Sequence, residues 1–497
     1  MVARLTISTA VLFSVVSLLI LGEILSGTSL AFVAMMAAIM SCIAITYNLL
    51  GGVGTFSGIL FTIFSLRTIV ISQFAKVILF EAADKNLEAP GLTIAVYLVF
   101  YFCVMLGVFI YGRLRLDLPK PMEPATRSQV NILYVISLVV GLVATIAFQV
   151  TLVIGGGGEK DKFGESRSFG LLFSVLLLFA LVVAVDSRIR SSGGLRSFGI
   201  AASIPWTLTL LFAFFNTSRG GIIAPTIVYF ATCYTRGYCF KRRHYLSAAL
   251  WIFFFVFFIS PFELYSRPFL ADMPFWDRTY ETIYLLRTVP DRATVALATQ
   301  QAAESSESRD EYFSRSGTFI LSRFSMIRPD SNLISACSGG FHYGWTAVKI
   351  DLLHSIPRFF YNDKPDTDSA GFVGRVSGMN PDAVDNGESA ISPISDSFGA
   401  FGWMGVVIFA LFAFPAIFIV FESVFDMSRP WGTVALGMLL LTFAEGGAGV
   451  YLAAIIRIPI YLVLLSYIIG GIARLLAIRG DRKIFISAKV DSESAIP

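Results

Sequence analysis

Three short stretches of this chain gather cations, carboxylates and glycines in patterns that can do chemistry. The first, Asn216-Thr217-Ser218-Arg219-Gly220-Gly221, is a charged turn between two apolar runs. A guanidinium such as that of Arg219 keeps its charge at any relevant pH and offers a planar fork of donors suited to phosphate oxygens. The flanking glycines let a ligand approach the backbone. The competing reading of Arg219 is a helix-end arginine that snorkels to lipid headgroups.

The second stretch runs from His354 to Pro365 and is followed by Arg375. Arg358, Lys364 and Arg375 stand near Phe359, Phe360 and Tyr361, a set able to clamp a pyrophosphate while the rings stack on sugar or dip into a lipid interface. Salt bridging with Asp363, Asp366 and Asp368 is the alternative use of these cations. His354 is a candidate acid or base, against the plainer role of a hydrogen-bonded residue near a helix end. The third stretch, Asn386 to Gly402, carries Glu388 and Asp396. Either carboxylate, in a partly dry site, can take a proton from a hydroxyl; capping a helix is the other role open to Asp396.

Further candidates lie within apolar runs. Arg67, Glu445 and Arg457 are expensive there unless paired, which makes them functional candidates; for Arg457 and Glu445 an ion pair at the outer ends of neighbouring spans is the alternative. The three histidines, His244, His342 and His354, are too few for a zinc site. The five cysteines show no paired spacing, so neither a bound metal nor a disulfide scaffold is expected.

The elements that must position these residues are membrane helices. The chain is 56% hydrophobic and 14% charged over 497 residues, against about 25% charged in a typical soluble protein. Apolar runs near the roughly 20 residues that cross a bilayer recur throughout. The reading is an all-α polytopic membrane protein of about 12 spans: 5–25, 29–48, 55–80, 91–112, 130–154, 168–186, 197–216, 221–238, 246–264, 400–422, 431–447 and 453–475. The first run reads as a retained helix because no small-residue cleavage site follows it. The third span, with Gly51 to Ser65 rich in small residues and Arg67 and Lys76 following, is expected to be broken or re-entrant.

Residues 1–264 thus form a bundle of about nine spans, 265–399 a large external loop, 400–475 three further spans and 476–497 a tail. Basic residues fall in alternate connections, with Arg113, Arg115, Lys120 and Arg127, then Arg188, Arg190 and Arg196, then Arg236, Lys241, Arg242 and Arg243. By the positive-inside rule these connections and both termini face the cytoplasm, and the large loop faces the other way. The net charge of +4 therefore reports topology, and no nucleic-acid partner is expected. Within the loop, Asp277 to Val289 and Tyr343 to Ile356 are expected to be helical, the second stopped by Pro357. Phe359 to Ser395 is expected to be an ordered irregular loop, since its aromatics argue against disorder.

Together these segments resemble the Wzy-type O-antigen and oligosaccharide repeat-unit polymerases of bacterial envelopes. The likeness lies in the layout and in a Ser-Arg-Gly turn (Ser218 to Gly220), a Pro-Arg and Asp-Lys-Pro stretch (Pro357, Arg358, Asp363 to Pro365) and a Ser-Pro…Phe-Gly-x-x-Gly run (Ser392, Pro393, Phe398, Gly399, Gly402). The resemblance implies a metal-independent glycosyltransferase of the bacterial inner membrane that needs no cofactor. Its substrate would be a polyprenyl-pyrophosphate-linked oligosaccharide, with membrane lipid and a polysaccharide chain-length regulator as partners. Arg219, Arg358 and Arg375 would stabilise the departing pyrophosphate, Lys364 would neutralise its second phosphate, and Glu388 or Asp396 would act on the acceptor hydroxyl. Arg67, Arg457, His354 and Tyr361 would complete the binding surface. The related O-antigen ligases share the layout; a flippase of lipid-linked sugars and a non-catalytic envelope scaffold are the readings from other classes.

Overall fold

The computed structural model describes residues 8–78, 80–124, 126–154, 164–215, 219–259, 262, 270, 273, 275–288, 326–356, 361, 369–376, 391–443 and 446–493. Among these the chain is helical throughout, with no strand. In order the helices are α1 (Thr9–Leu25), α2 (Leu30–Leu50), α3 (Phe56–Ile78), α4 (Pro90–Tyr111), α5 (Arg127–Ile154), α6 (Gly164–Ser191), α7 (Ile200–Phe215), α8 (Arg219–Thr235), α9 (Arg242–Phe254, continued by a π turn, Phe255–Ile259), α10 (Phe275–Thr288), α11 (Ile327–Cys337), α12 (Thr346–Ser355), α13 (Ser369–Val376), α14 (Pro393–Val424), α15 (Pro430–Phe443) and α16 (Ala448–Glu493). Among the described residues six stretches, in α2, α3, α4, α5, α14 and α16, are long and apolar enough to cross a bilayer, and shorter apolar helices lie in α1, α7 and α8.

Local chemistry explains where these helices begin. The Ser8 hydroxyl accepts from Val11 N, and Thr55 Oγ1 accepts from Gly58 N at 3.1 Å. Pro90 and Pro393 occupy first-turn positions that need no amide donor. Hydroxyls inside the spans bond back to the preceding turn, as Thr46 does to Cys42 O and Thr232 to Val228 O, each at 2.7 Å, so they are satisfied without water.

An aromatic core joins α3, α4, α14 and α16. Phe64 meets Phe414 with ring centroids 4.9 Å apart, Phe414 stacks on Tyr451 at 5.9 Å, and Phe100 stands edge-on to Tyr101 at 5.7 Å. Between helices in an apolar surround, such close packing replaces the hydrophobic drive that water supplies elsewhere.

Hydrogen bonds sort the connections into two sets. In one, Leu116 N donates to Ser423 Oγ, Met122 N to Ser466 Oγ, Trp431 Nε1 to Met122 O, Arg236 Nη1 to Met427 O and Cys239 N to Gly194 O. In the other, Ser29 N donates to Asp84, Ala83 N to Thr28 and Ala89 N to Ser331. This is the alternation expected when successive helices run up and down.

Three expectations change. α3 is a helix from Phe56 to Ile78 with a π turn at Leu66–Val70, preceded by a single tight turn at Gly52–Gly54; the small residues shape its approach and its interior is continuous. Residues 369–376, expected to be irregular, form α13. The tenth apolar run starts helically at Pro393, ahead of the expected 400, because Ser392 caps it by accepting from Ile394 N at 3.1 Å.

Candidate functional site

Part of the segment expected to lie wholly outside the membrane is packed within the bundle. α11 buries Ile327, Asp330, Ile334 and Cys337, a spacing of three, four and three that defines one helix face. Its leading amide, Met326 N, donates to Arg67 O at 3.2 Å. Arg67 lies in the π turn, where the altered ladder leaves a carbonyl for another chain segment. Next to it Thr68 Oγ1 and Tyr101 Oη are 2.5 Å apart. Farther along α11, Ser331 Oγ accepts from Ala89 N at 3.2 Å and lies 3.0 Å from Thr93 Oγ1. Tyr101 is eleven residues into α4, about 16 Å from its start, so α11 lies alongside α4 at the depth of the spans.

Asp330 holds this arrangement together. Its carboxylate accepts from Tyr97 Oη at 2.5 Å, Ser392 N at 3.0 Å, Ser392 Oγ at 2.5 Å and Ser395 Oγ at 2.6 Å. The residue has no exposed surface. Four donors from α4 and the start of α14 converge on one acidic group, the condition for burying it without a cation.

α14 is a hairpin. Phe401 (φ −141°, ψ 21°) and Gly402 (φ 60°, ψ −145°) interrupt the helix, and the positive φ at 402 suits glycine. A Cβ added to Gly405 would lie 2.0 Å from Ser397 O, whereas residues eight apart in a straight helix are separated by about 12 Å along the axis. Residues 393–400 therefore fold back beside the arm that starts at 403. All of 393–400 are buried. Carbonyls at the break are taken by the long connection, Tyr343 N donating to Gly399 O at 3.2 Å and Gly344 N to Ala400 O at 3.0 Å. Asp396 sits in the buried arm. Tyr343 Oη donates to its backbone oxygen at 2.9 Å and to its carboxylate, whose other oxygen accepts from Ala448 N at 2.6 Å. Asp396 thus caps α16, a different helix from its own.

The sequence-predicted site residues fall into three groups. Asp396, expected as an acid or base at the membrane mouth, is 1% exposed and committed to Tyr343 and Ala448, the geometry of a tether. Arg67 is beside α11 and within electrostatic reach of Tyr451, one turn beyond Ala448; Asp396 and Arg67 therefore belong to one region. Arg457, expected at an outer helix end, is instead nine residues into α16, about 14 Å along it, and exposed. Tyr361 is exposed. Arg219 opens α8, His354 lies in α12 and Arg375 in α13, but their side chains fall outside the described residues, as do Arg358, Lys364, Glu388 and Glu445 altogether. His244 is structural: its ring accepts from Lys241 N at 2.9 Å and meets Tyr238 Oη at 3.0 Å.

Sequence reasoning missed Asp330, Tyr97, Ser392 as a partner of Asp330, Ser395 and Tyr343. The signal for Asp330 was the apolar spacing of Ile327, Ile334 and Cys337 around it, which marks a helix with a face to bury.

At the other end of the bundle, where the basic connections meet, a cavity of about 370 Å³ is lined by Lys120, Glu123, Glu422, Asp426, Arg429 and Trp431 among others. Glu422 accepts from Ser57 N at 3.0 Å and Ser57 Oγ at 2.8 Å, capping α3, with Arg115 3.7 Å away. Burial pushes the Glu123 carboxyl up to about 7, while Arg429 and Arg236 pull it the other way. Arg236 is buried beside Asp186 and donates to Met427 O at 3.0 Å.

Comparison with protein-family models, with curated proteins and with solved structures yields no match.

Proposed function

We propose that this chain is a multi-spanning glycosyltransferase of a bacterial inner membrane that polymerises polyprenyl-diphosphate-linked oligosaccharide units. In this reading twelve helices cross the bilayer, the basic connections and both termini are cytoplasmic, and the acceptor hydroxyl attacks the sugar carbon bearing the diphosphate. The reacting bond of such a substrate lies where hydrocarbon meets water, since the polyprenyl tail stays in lipid and the sugar stays wet.

The observation that supports the reading is the anchoring of the long connection. α11 is fixed by Asp330, and Tyr343 is fixed to Asp396, so the cation-bearing stretch from Arg358 to Arg375 is tied on one side to α12 and on the other, through Ile391, to the buried arm of α14. A segment held at both ends on the bundle is suited to gathering cations over a lipid headgroup, where fixed charges stabilise a leaving diphosphate more than its ground state. The decisive test supplies purified protein with a lipid-linked repeat unit. A ladder of products supports polymerisation, a single transferred block supports ligation, and no transfer rejects both.

A transporter of lipid-linked sugars is the second reading, favoured by the hairpin in α14, because interrupted helices deep in a bundle are a device of transporters. Movement of a labelled lipid-linked sugar across sealed vesicles without elongation is the outcome that selects it.

A further inference from the structure

The turn of the α14 hairpin and the segment of the long connection beside it expose aromatic surface that no other part of the described chain covers. Trp345 is 67% exposed and Met404 66%, with Phe341, Phe401 and Trp403 also exposed. Trp345 and Phe401 adjoin, with ring centroids 5.0 Å apart, and Trp403, edge-on to the buried Phe398 at 5.7 Å, and Met404 follow Phe401 within three residues of chain.

Two observations identify what covers it. Below the turn, Met404, Ile408 and Phe412 are exposed at successive intervals of four, an unbroken apolar stripe on a helix long enough to cross a bilayer. The patch is therefore continuous with a surface that faces lipid. Next, the arm from Trp403 to Val424 spans 21 residue steps, about 32 Å, one hydrocarbon thickness of about 30 Å. Its far end at Val424 borders the polar cavity with Asp426 and Arg429, so Trp403 stands at the opposite boundary. α12 extends the pattern, since Trp345, Lys349, Leu352 and Ile356 are all exposed along one stripe of that helix. Tryptophan with a nearby lysine suits the layer where acyl chains give way to headgroups.

We infer that residues 341–345 and 401–404 are seated together in the interfacial layer of the bilayer, so that this portion of the long connection rests on lipid and not in bulk water. The inference is independent of the catalytic reading. It holds the Tyr343 side chain, which points inward to Asp396, at a fixed depth below the headgroups.

The test uses the full chain reconstituted in phosphatidylcholine vesicles with lipids brominated near the top or near the end of the acyl chain, and reads tryptophan emission of the wild type against Trp345→Phe and Trp403→Phe. The component lost in each variant is expected to be quenched more by the shallow bromines than by the deep ones, and to be shielded from aqueous iodide. Because both substitutions keep an aromatic ring at an exposed position, folding is retained; circular dichroism of each variant checks this. Iodide quenching without bromine quenching would place the patch in water and overturn the inference, and stronger quenching by the deep bromines would place it in hydrocarbon and overturn it equally. If a variant fails to fold, a fluorophore on a cysteine introduced at Met404, in a chain also carrying Cys239→Ser so that its exposed native thiol is gone, gives the same depth comparison.

Discussion

The phenol of Tyr343 and the carboxylate of Asp396 are hydrogen-bonded across 53 residues of chain, and the same carboxylate receives the first amide of α16. One acidic side chain therefore fastens the long connection, the buried arm of α14 and the last helix at a single point. Tyr343→Phe removes one donor and is expected to cost on the order of 1–2 kcal/mol. Asp396→Ala orphans Ala448 N, leaves Tyr343 Oη with the backbone oxygen of residue 396 alone, and should cost more. Thermal unfolding in detergent reads both, and unchanged midpoints would sink the tether.

Gly405 is required by the reversal in α14. In Gly405→Val the new Cβ meets Ser397 O at 2.0 Å, a backbone contact that no rotamer relieves. The variant is expected to lose its monodisperse peak in size-exclusion chromatography. Met404→Ala, at the exposed neighbour, should elute as the wild type; equal behaviour of the two variants would contradict the hairpin.

Removing Asp330 takes the carboxylate acceptor from four donors at once, the hydroxyls of Tyr97, Ser392 and Ser395 and the amide of Ser392. Buried donors without acceptors cost about 1–3 kcal/mol each. Asp330→Ala should accordingly be far more destabilising than Tyr97→Phe, and should raise protease cleavage between α10 and α12. Comparable stability of the two variants would show that the carboxylate is not the hub.

Glu123 makes stability depend on pH. Its carboxyl is raised from 4.5 to about 7 in the folded chain, so the folded state holds the proton more tightly than the unfolded state. The favourable contribution is complete below about 4.5 and declines as pH rises through about 7. Glu123→Gln is expected to flatten the unfolding midpoint between those values while leaving the low-pH midpoint near that of the wild type. A wild-type profile that rises with pH across this window, or a glutamine variant with the same slope as wild type, would refute the assignment.

For the proposed reaction, Arg219→Ala and Arg358→Ala are expected to abolish polymer formation with expression and membrane insertion intact. Their lysine variants should also be poor, because a point ammonium does not reproduce a bidentate fork. Wild-type chain length in both alanine variants, read on a polysaccharide gel, would remove the arginines from the chemistry.

Hydropathy made the apolar helices readable, and Pro357 made the end of α12 readable. α11 was hidden because its eleven residues include Arg328, Asp330 and Asn332, whose polarity lowers any window average; burial becomes affordable only when Tyr97 and Ser392 meet Asp330, a pairing between segments remote in sequence. The reversal at Phe401–Gly402 was hidden for the opposite reason, since hydrophobic residues continue straight through it. Gly399, Gly402 and Gly405, three residues apart, were its trace. Asp396 was read first as an acid or base, with capping as the alternative, because a helix that it caps from another part of the chain leaves no local spacing to read.

The bond between Tyr97 and Asp330 joins residues 233 positions apart, and this sets an order of assembly. At about 5–20 residues per second, roughly 10–50 s of translation separate the two side chains. During that interval α4 is already inserted with a phenol that has no acceptor, and a slot the width of a helix stays open beside it. The chain is thus completed from within by one of its later segments, and a nascent protein halted before residue 327 would be an open vessel awaiting its stopper.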